Sequence, residues 1–285
     1  YMDFEPVQWP VNTANPNGKA RMFDDGDFYT PSRKAQFICV LARFPKFPPK
    51  DDQVVMNTGR IRDQWHTMAR TGSAAKLLGH MDEPRIDIHP LDAKIFGVAQ
   101  DELAVLNNQK TRYIGRVNVT ENQRRKEVFV PMHWNAAFAS FSRADALVNA
   151  VTDPLCGQPE FKHTPVGLQP YQAQWQGLLL SLDSKHPSAD YWVKIPTEVG
   201  YKFRMADQVR PQSWSQWLHE LFPHIDDWVS LEDSFRKTMR YAGFSGDKLA
   251  VLLHVADKNI QPGESRWLEG KLGQECDVVD RLALL

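Results

Sequence analysis

The chain has 285 residues, 42% of them hydrophobic and 24% charged, with a formal net charge of −1. That length can bury one large core or two ordinary ones, and the balanced charge leaves no basic footprint for nucleic acid or an anionic membrane. The longest apolar runs, at 177–180 and 249–255, are far too short to span a bilayer.

The three cysteines, Cys39, Cys156 and Cys276, lie far apart and form no C-x-x-C pair. This spacing excludes a zinc ribbon, disfavours a disulfide framework and fits a reducing, cytoplasmic compartment. It also excludes an iron–sulfur cluster held by this chain alone, which would need four thiolates. No two histidines stand in an H-x-x-x-H spacing, so no metal site is expected.

In chain order, residues 1–15 read as an extended segment and 35–41 as a strand. Three prolines between 43 and 52 mark a linker. Val54-Val55-Met56 is a short buried strand, with a turn expected at Asn57-Thr58-Gly59 and a crowd of polar side chains after it. Residues 85–89 alternate as a strand, and Pro90 opens a short helix to Phe96, in the position where its missing N–H costs nothing. Strands follow at 103–106, 113–120 and 127–130, with turns at Asn107-Asn108 and Arg124-Arg125-Lys126. Arg112, Arg116, Arg124, Arg125 and Lys126 read as a solvated barrel edge.

The texture changes beyond 167–171. One or two strands are expected at 191–205, a Trp-rich amphipathic helix at 213–221 and a half-exposed strand at 235–241. A turn at Ser245-Gly246-Asp247 leads into a strand at 248–255, and one final helix is expected over about 263–284. The pattern predicts a mainly β chain: a compact β-barrel followed by a small α+β domain of order β-α-β-β-α.

Several stretches carry a family resemblance. Thr58-Gly59-Arg60 followed by Trp65-His66-Thr67 resembles the C-terminal molybdopterin-dinucleotide-binding domain of bacterial assimilatory nitrate reductases, with periplasmic nitrate reductases and formate dehydrogenases as cousins. Ile88-His89-Pro90-Leu91-Asp92-Ala93, Val128 through Trp134, and Asp153 through Lys162 fit the same pattern in the same order, as does Glu5 through Pro10 ahead of them. The resemblance implies a double-psi barrel. It divides the chain into a lead-in segment and linker (1–50), a cofactor-binding barrel (51–168) and a small α+β domain (169–285) that precedes an iron–sulfur module in the family.

By the same resemblance Thr58, Gly59, Arg60, His66 and Thr67 line the dinucleotide, and Asn149 and Lys162 add contacts to it. Gly lets a backbone approach closely, Arg and Lys meet phosphate or pterin oxygens, and Asn offers a donor and an acceptor together. Met132 falls near the family's substrate funnel, whereas Trp65 reads as a packing residue. Cys156 is not read as a metal ligand. No catalytic or metal-ligating residue is expected in this chain.

The implied function is that of the C-terminal cofactor-binding part of a molybdenum-dependent nitrate reductase with two molybdopterin guanine dinucleotides, inactive by itself. Its partners would be the N-terminal catalytic domains of the same chain, with nitrate as substrate and an electron donor that the sequence does not identify. Two alternatives stay open: the corresponding part of a formate dehydrogenase or other molybdopterin oxidoreductase, and a non-catalytic barrel serving as a binding or adaptor module.

Overall fold

A computed structural model describes the chain except for residues 1, 4, 40, 155, 259 and 261 and the side chains of 262–265. The chain divides into two compact units, Tyr1–Phe44 and Pro45–Leu285. In the first unit, Lys19 bridges Asp24 and Asp25 at 2.8 and 3.0 Å, and Phe23 stacks on Phe28 with ring centroids 4.8 Å apart. The strand expected at 35–41 does not form among its described residues; Phe37, Ile38 and Leu41 are exposed. Alternation makes a strand only where a neighbouring edge takes up its N–H and C=O groups.

The second unit begins with a closed six-stranded barrel. Its strands are β1 (Gln53–Gly59), β2 (Arg85–Ile88), β3 (Leu103–Asn107), β4 (Arg112–Val119), β5 (Glu127–Pro131) and β6 (Thr164–Pro170), in the order β1-β5-β2-β4-β3-β6. Pairs β1–β5 and β2–β4 are parallel and the others antiparallel. Alternate residues fill the interior: Val54, Met56, Ile86, Ile88, Leu106, Val128, Val130 and Val166 are all buried. The turn expected at Asn57-Thr58-Gly59 is instead the end of β1, because β5 supplies a parallel ladder to Phe129, Val130 and Pro131. Strand β6 runs two residues past the expected boundary at 168.

Helix α1 (Ala75–Leu78) is one turn, and α2 (Pro90–Phe96) forms as expected. Pro90 stands in the first turn of α2, the His89 ring accepts from Leu91 N–H at 3.1 Å, and Gly97 ends the helix at φ 66°.

The rest of this unit is a six-stranded antiparallel sheet in the order β10-β11-β12-β7-β9-β8. The strands are β7 (Trp175–Ser181), β8 (Tyr191–Pro196), β9 (Tyr201–Asp207), β10 (Asp227–Asp233), β11 (Thr238–Ser245) and β12 (Lys248–Ala256). Helix α3 (Trp214–Leu221) follows β9, with Ser213 Oγ accepting from Gln216 N–H at 3.2 Å; α4 (Pro262–Lys271) and α5 (Val278–Ala283) follow β12. The order is therefore β-β-β-α-β-β-β-α-α, with three strands and one helix more than the expected order. Residues 177–180, too uniformly apolar to show a two-residue period, form part of the central strand β7. The strand expected at 235–241 is half a turn: Lys237 takes φ 53°, and β11 starts at Thr238. The single final helix is two, interrupted where Gly273 turns left-handed at φ 78°.

The outer face of the barrel wall packs on the face of β8 and β9, joining Leu103, Val105 and Ile114 to Tyr191, Val193, Ile195 and Ala206. A buried charge network lies in this contact. Glu83 takes two hydrogen bonds from Arg116, at 3.0 and 3.1 Å, and one from the Tyr191 hydroxyl at 2.9 Å. Arg204 lies 3.9 Å from the same carboxylate. Arg116 is thus no solvated edge residue. A closed barrel has no edge, and Arg116, on the outer face of β4, meets the second sheet.

Burial alone would raise the Glu83 pKa, but the Arg116 and Arg204 charges and the hydrogen bonds from Arg116 and Tyr191 outweigh it and hold the carboxyl at about 2, against an ordinary 4.5. A carboxylate depressed by folding contributes stability that is complete above about 4.5 and lost as pH falls towards 2. Glu83→Gln should cost about 3–5 kcal/mol near neutral pH, because it leaves buried guanidiniums uncompensated. Urea titrations should show the gap between wild type and variant closing from pH 4.5 to 2; a gap independent of pH would contradict this account.

Candidate functional site

The polar stretch after β1 and the residues before β6 meet at one end of the barrel, where β1 and β5 finish side by side. The Met132 N–H donates to the Gly59 carbonyl at 2.9 Å, extending the parallel ladder by one residue. Lys162 reaches across from the start of β6 and donates through Nζ to the Thr58 carbonyl. Thr58 faces the barrel interior, and its Oγ1 is buried without a hydrogen-bond partner. At Gly59 a β carbon would stand 3.1 Å from Phe129 Cε2 and 3.5 Å from Lys162 Nζ, so this position is tight for any side chain.

The loop from Arg60 to Gly72 stands on this rim, and its conformation is demanding. His66 and Met68 are left-handed at φ 44° and 62°, and neither is glycine. Such residues cost of order 1–3 kcal/mol each and persist where neighbours over-determine them. Here the neighbours are side chains of the segment after β5. His133 Nε2 accepts from the Ile61 N–H at 2.9 Å, while Nδ1 lies 2.6 Å from the His66 carbonyl. Asn135 Nδ2 donates to the Thr67 carbonyl at 2.5 Å. Met68 is buried beneath the loop, and Gly72 N–H donates to its carbonyl at 2.9 Å.

The loop side chains expected to meet a ligand are exposed. Arg60, Trp65, His66 and Thr67 are all exposed. Trp65, expected to pack, is 57% exposed; its ring meets His66 edge-on at 4.5 Å, and the Arg60 guanidinium lies 5.9 Å from its centroid.

Asn149 lies on a different connection. Residues 144–146 form a helical turn that Asn108 Nδ2 ties to the β3–β4 turn, through the Leu147 carbonyl at 2.7 Å. From there a hairpin-like loop returns to β6, closed by the Glu160 N–H to Val151 carbonyl bond at 2.9 Å and the Thr152–Pro159 bridge. Asn149 and Lys162 stand two residues beyond the Val151–Glu160 bond on its opposite arms. Leu155, inside this loop, lies outside the described residues, and Cys156 is exposed and free. The structure thus gathers Thr58, Gly59, Met132 and Lys162 directly, and displays Arg60, His66 and Thr67 on the clamped loop. Sequence reasoning passed over His133 and Asn135, although both lie in or beside the Val128–Trp134 stretch. Their signal was weak because a buried histidine and an isolated asparagine have no spacing pattern.

Cavities of about 560, 1000 and 450 Å³ open elsewhere, beside His186 and Trp192, Lys202 and Glu269, and Arg210 and Asp257; no rim residue lines them. Among the described residues no group of histidine, cysteine and acidic side chains could hold a metal ion, and no helix is long and apolar enough to cross a membrane.

Residues 54–165 match the family model of the Molydopterin dinucleotide binding domain. The nitrate reductase of Klebsiella oxytoca is 34% identical over 221 residues, which cover 74% of this chain and 24% of that protein. The nitrate reductase of Shewanella frigidimarina is 30% identical over 201 residues, covering 63% and 21%. An F420-dependent formate dehydrogenase subunit alpha of Methanocaldococcus jannaschii is 27% identical over 169 residues, covering 59% and 24%. The chain therefore spans about a quarter of the length of these relatives.

Two outcomes test the clamp. Burial, with the Arg60 and His66 charges, pushes the His133 pKa down from 6.5 against the opposing pull of the His66 carbonyl. A histidine whose pKa is lowered by folding contributes fully above about 6.5, and its contribution is lost as pH falls through the folded value. Amide exchange in 60–68, corrected for its intrinsic rate, should accelerate below pH 6.5 relative to β1, and His133→Gln should remove that dependence. Gly72→Ala would place a β carbon 2.7 Å from Phe138 Cζ and 2.9 Å from Met68 Cβ, and should cost about 1–3 kcal/mol in thermal or urea unfolding.

Proposed function

Because the chain belongs to the molybdopterin oxidoreductases and carries their dinucleotide-binding domain, whose cofactor is a molybdopterin dinucleotide with molybdenum, we propose that it is the cofactor-cradling C-terminal part of a nitrate reductase. The whole enzyme would reduce nitrate to nitrite for assimilation in the cytoplasm, and the N-terminal domains of the same longer chain would complete the site. In this reading the barrel is of the double-psi class, residues 51–168 bind cofactor, and 169–285 are a second, α+β domain. An iron–sulfur cluster and the electron entry point would lie in other parts of the enzyme.

The observation that carries the reading is the rim. Donors and a tight glycine converge where β1 and β5 end, within the stretch that matches the family. The chemistry of this donor set fits an oxygen-rich dinucleotide. Thr58 Oγ1 is a buried hydroxyl without a partner, and Gly59 admits a close backbone approach. Arg60 supplies a planar fork for phosphate, and Lys162 a point charge held beside Gly59 by the Thr58 carbonyl. His66 and Thr67 add a ring nitrogen and a hydroxyl, and Asn149 a donor and an acceptor for the pterin edge. Met132, half-buried and bonded to Gly59, would stand at the substrate approach.

When bound, the cofactor supplies the oxygen-atom transfer and accepts the electrons that drive it. The work of these residues is to bind, to orient and to keep water from the ligand's buried side. The formate dehydrogenase relative supports a second reading, in which the same cradle serves formate oxidation.

In the full-length enzyme, Arg60→Ala should lower pterin and molybdenum content while leaving the unfolding midpoint nearly unchanged, since a charged hydrogen bond is worth roughly 1.5–3 kcal/mol and Arg60 is exposed. Normal cofactor content in the purified variant would count against the cradle. The 285-residue chain alone should reduce no nitrate with a viologen donor, even with cofactor added; measurable turnover would overturn this division of labour.

A further inference from the structure

We propose that His133 is a positioning residue for the cofactor rim, turning the Thr67 N–H outward as a backbone donor for a phosphate oxygen of the dinucleotide. The inference rests on the reading of the rim as a dinucleotide cradle, and it assigns a role to a residue that cannot itself reach the displayed face. His133 is 1% exposed, beneath the loop.

The geometry fixes both the proton and the peptide. Nε2 accepts from the Ile61 N–H, so Nδ1 carries the hydrogen and donates to the His66 carbonyl 2.6 Å away; one neutral tautomer satisfies both bonds. A trans peptide is planar, with C=O and N–H pointing in opposite directions. Drawing the His66 carbonyl inward therefore aims the Thr67 N–H away from His133, towards the side where Arg60, His66 and Thr67 are exposed. The same ring, by binding the Ile61 N–H, sends the Arg60 carbonyl outward and sets where the Arg60 side chain departs. Left-handed His66 begins the oriented peptide, and left-handed Met68 follows Thr67 at its far end. Without the clamp a non-glycine pair has every reason to relax to φ below zero and rotate that peptide. Asn135 holds the next carbonyl, at Thr67, and so limits the alternative.

Proton, donor and acceptor roles lead to a test that a purely structural histidine would not pass. In the isotopically labelled 285-residue chain, ¹⁵N NMR should show His133 as the Nδ1–H tautomer. Inorganic pyrophosphate, used as the probe, should shift the Thr67 amide. His133→Ala should weaken that response at least tenfold. His133→Asn, whose carboxamide can still donate to the His66 carbonyl but is too short for its oxygen to reach the Ile61 N–H, should restore most of the Thr67 response while leaving the Ile61 amide fast-exchanging. If the alanine variant does not fold, the asparagine variant and the wild-type tautomer still decide the matter.

An Nε2–H tautomer, or a Thr67 response unchanged in His133→Ala, would overturn the positioning role while leaving the cradle intact. If the wild type shows no response to pyrophosphate and its full-length parent retains no pterin, the cradle reading fails instead. Amide exchange over 60–68 that is then the same in wild type and His133→Asn would overturn the positioning role as well.

Discussion

A single buried carboxylate joins the two halves of the second unit. Glu83 leads into the barrel, Arg116 lies in its wall, and Tyr191 and Arg204 belong to the neighbouring sheet. An ionised carboxylate away from water is costly, and here two guanidiniums and a phenol replace the lost hydration. Asp82, 3.5 Å from Arg204 and 3.4 Å from Lys202, balances the second arginine and extends the network to α4 through Glu269. Arg116 also donates to the Asp101 carbonyl and to Gln176 on β7. Removing any partner of such a buried charge network strands the others. The network therefore fixes one docking of wall against sheet.

That docking leaves the opposite demand to the rim. The wall is apolar and charge-locked, whereas the rim holds strained backbone above a buried histidine. His133 and Asn135 follow β5 directly, so the rigid parallel ladder of β1 and β5 sets both the origin of the loop and the position of the residues that clamp it. Strain in the loop is thereby supported by the most regular part of the barrel. If the rim binds a ligand as proposed, its donors are already oriented, and less ordering would remain to oppose binding.

The cavities beside His186, Lys202 and Arg210 are not lined by rim residues. In the proposed reading, a long and largely polar dinucleotide would meet this rim as a ledge of displayed donors on clamped backbone. Thr58, Gly59 and Lys162 form its inner edge, and Arg60, His66 and Thr67 its outer one.

The sequence by itself determined five of the six barrel strands, the Pro90 helix, the Trp-rich helix and the family of the cofactor domain. Each rests on local chemistry: alternation, a proline at a helix start, or ordered motif letters around Thr58, His89, Met132 and Lys162. It did not determine β7, whose uniform apolarity hides the strand period until neighbours cover both faces, nor the left-handed break at Gly273 that divides the last helix. It misread Arg116 as solvated, because only the tertiary structure brings Glu83 and Tyr191 to it from residues 33 and 75 positions away along the chain. It also passed over His133, whose role depends on two peptides of a distant loop lying within hydrogen-bond reach of its two ring nitrogens. Local pattern specifies what forms within a few residues, whereas burial of charge and support of strain depend on what long-range folding places alongside.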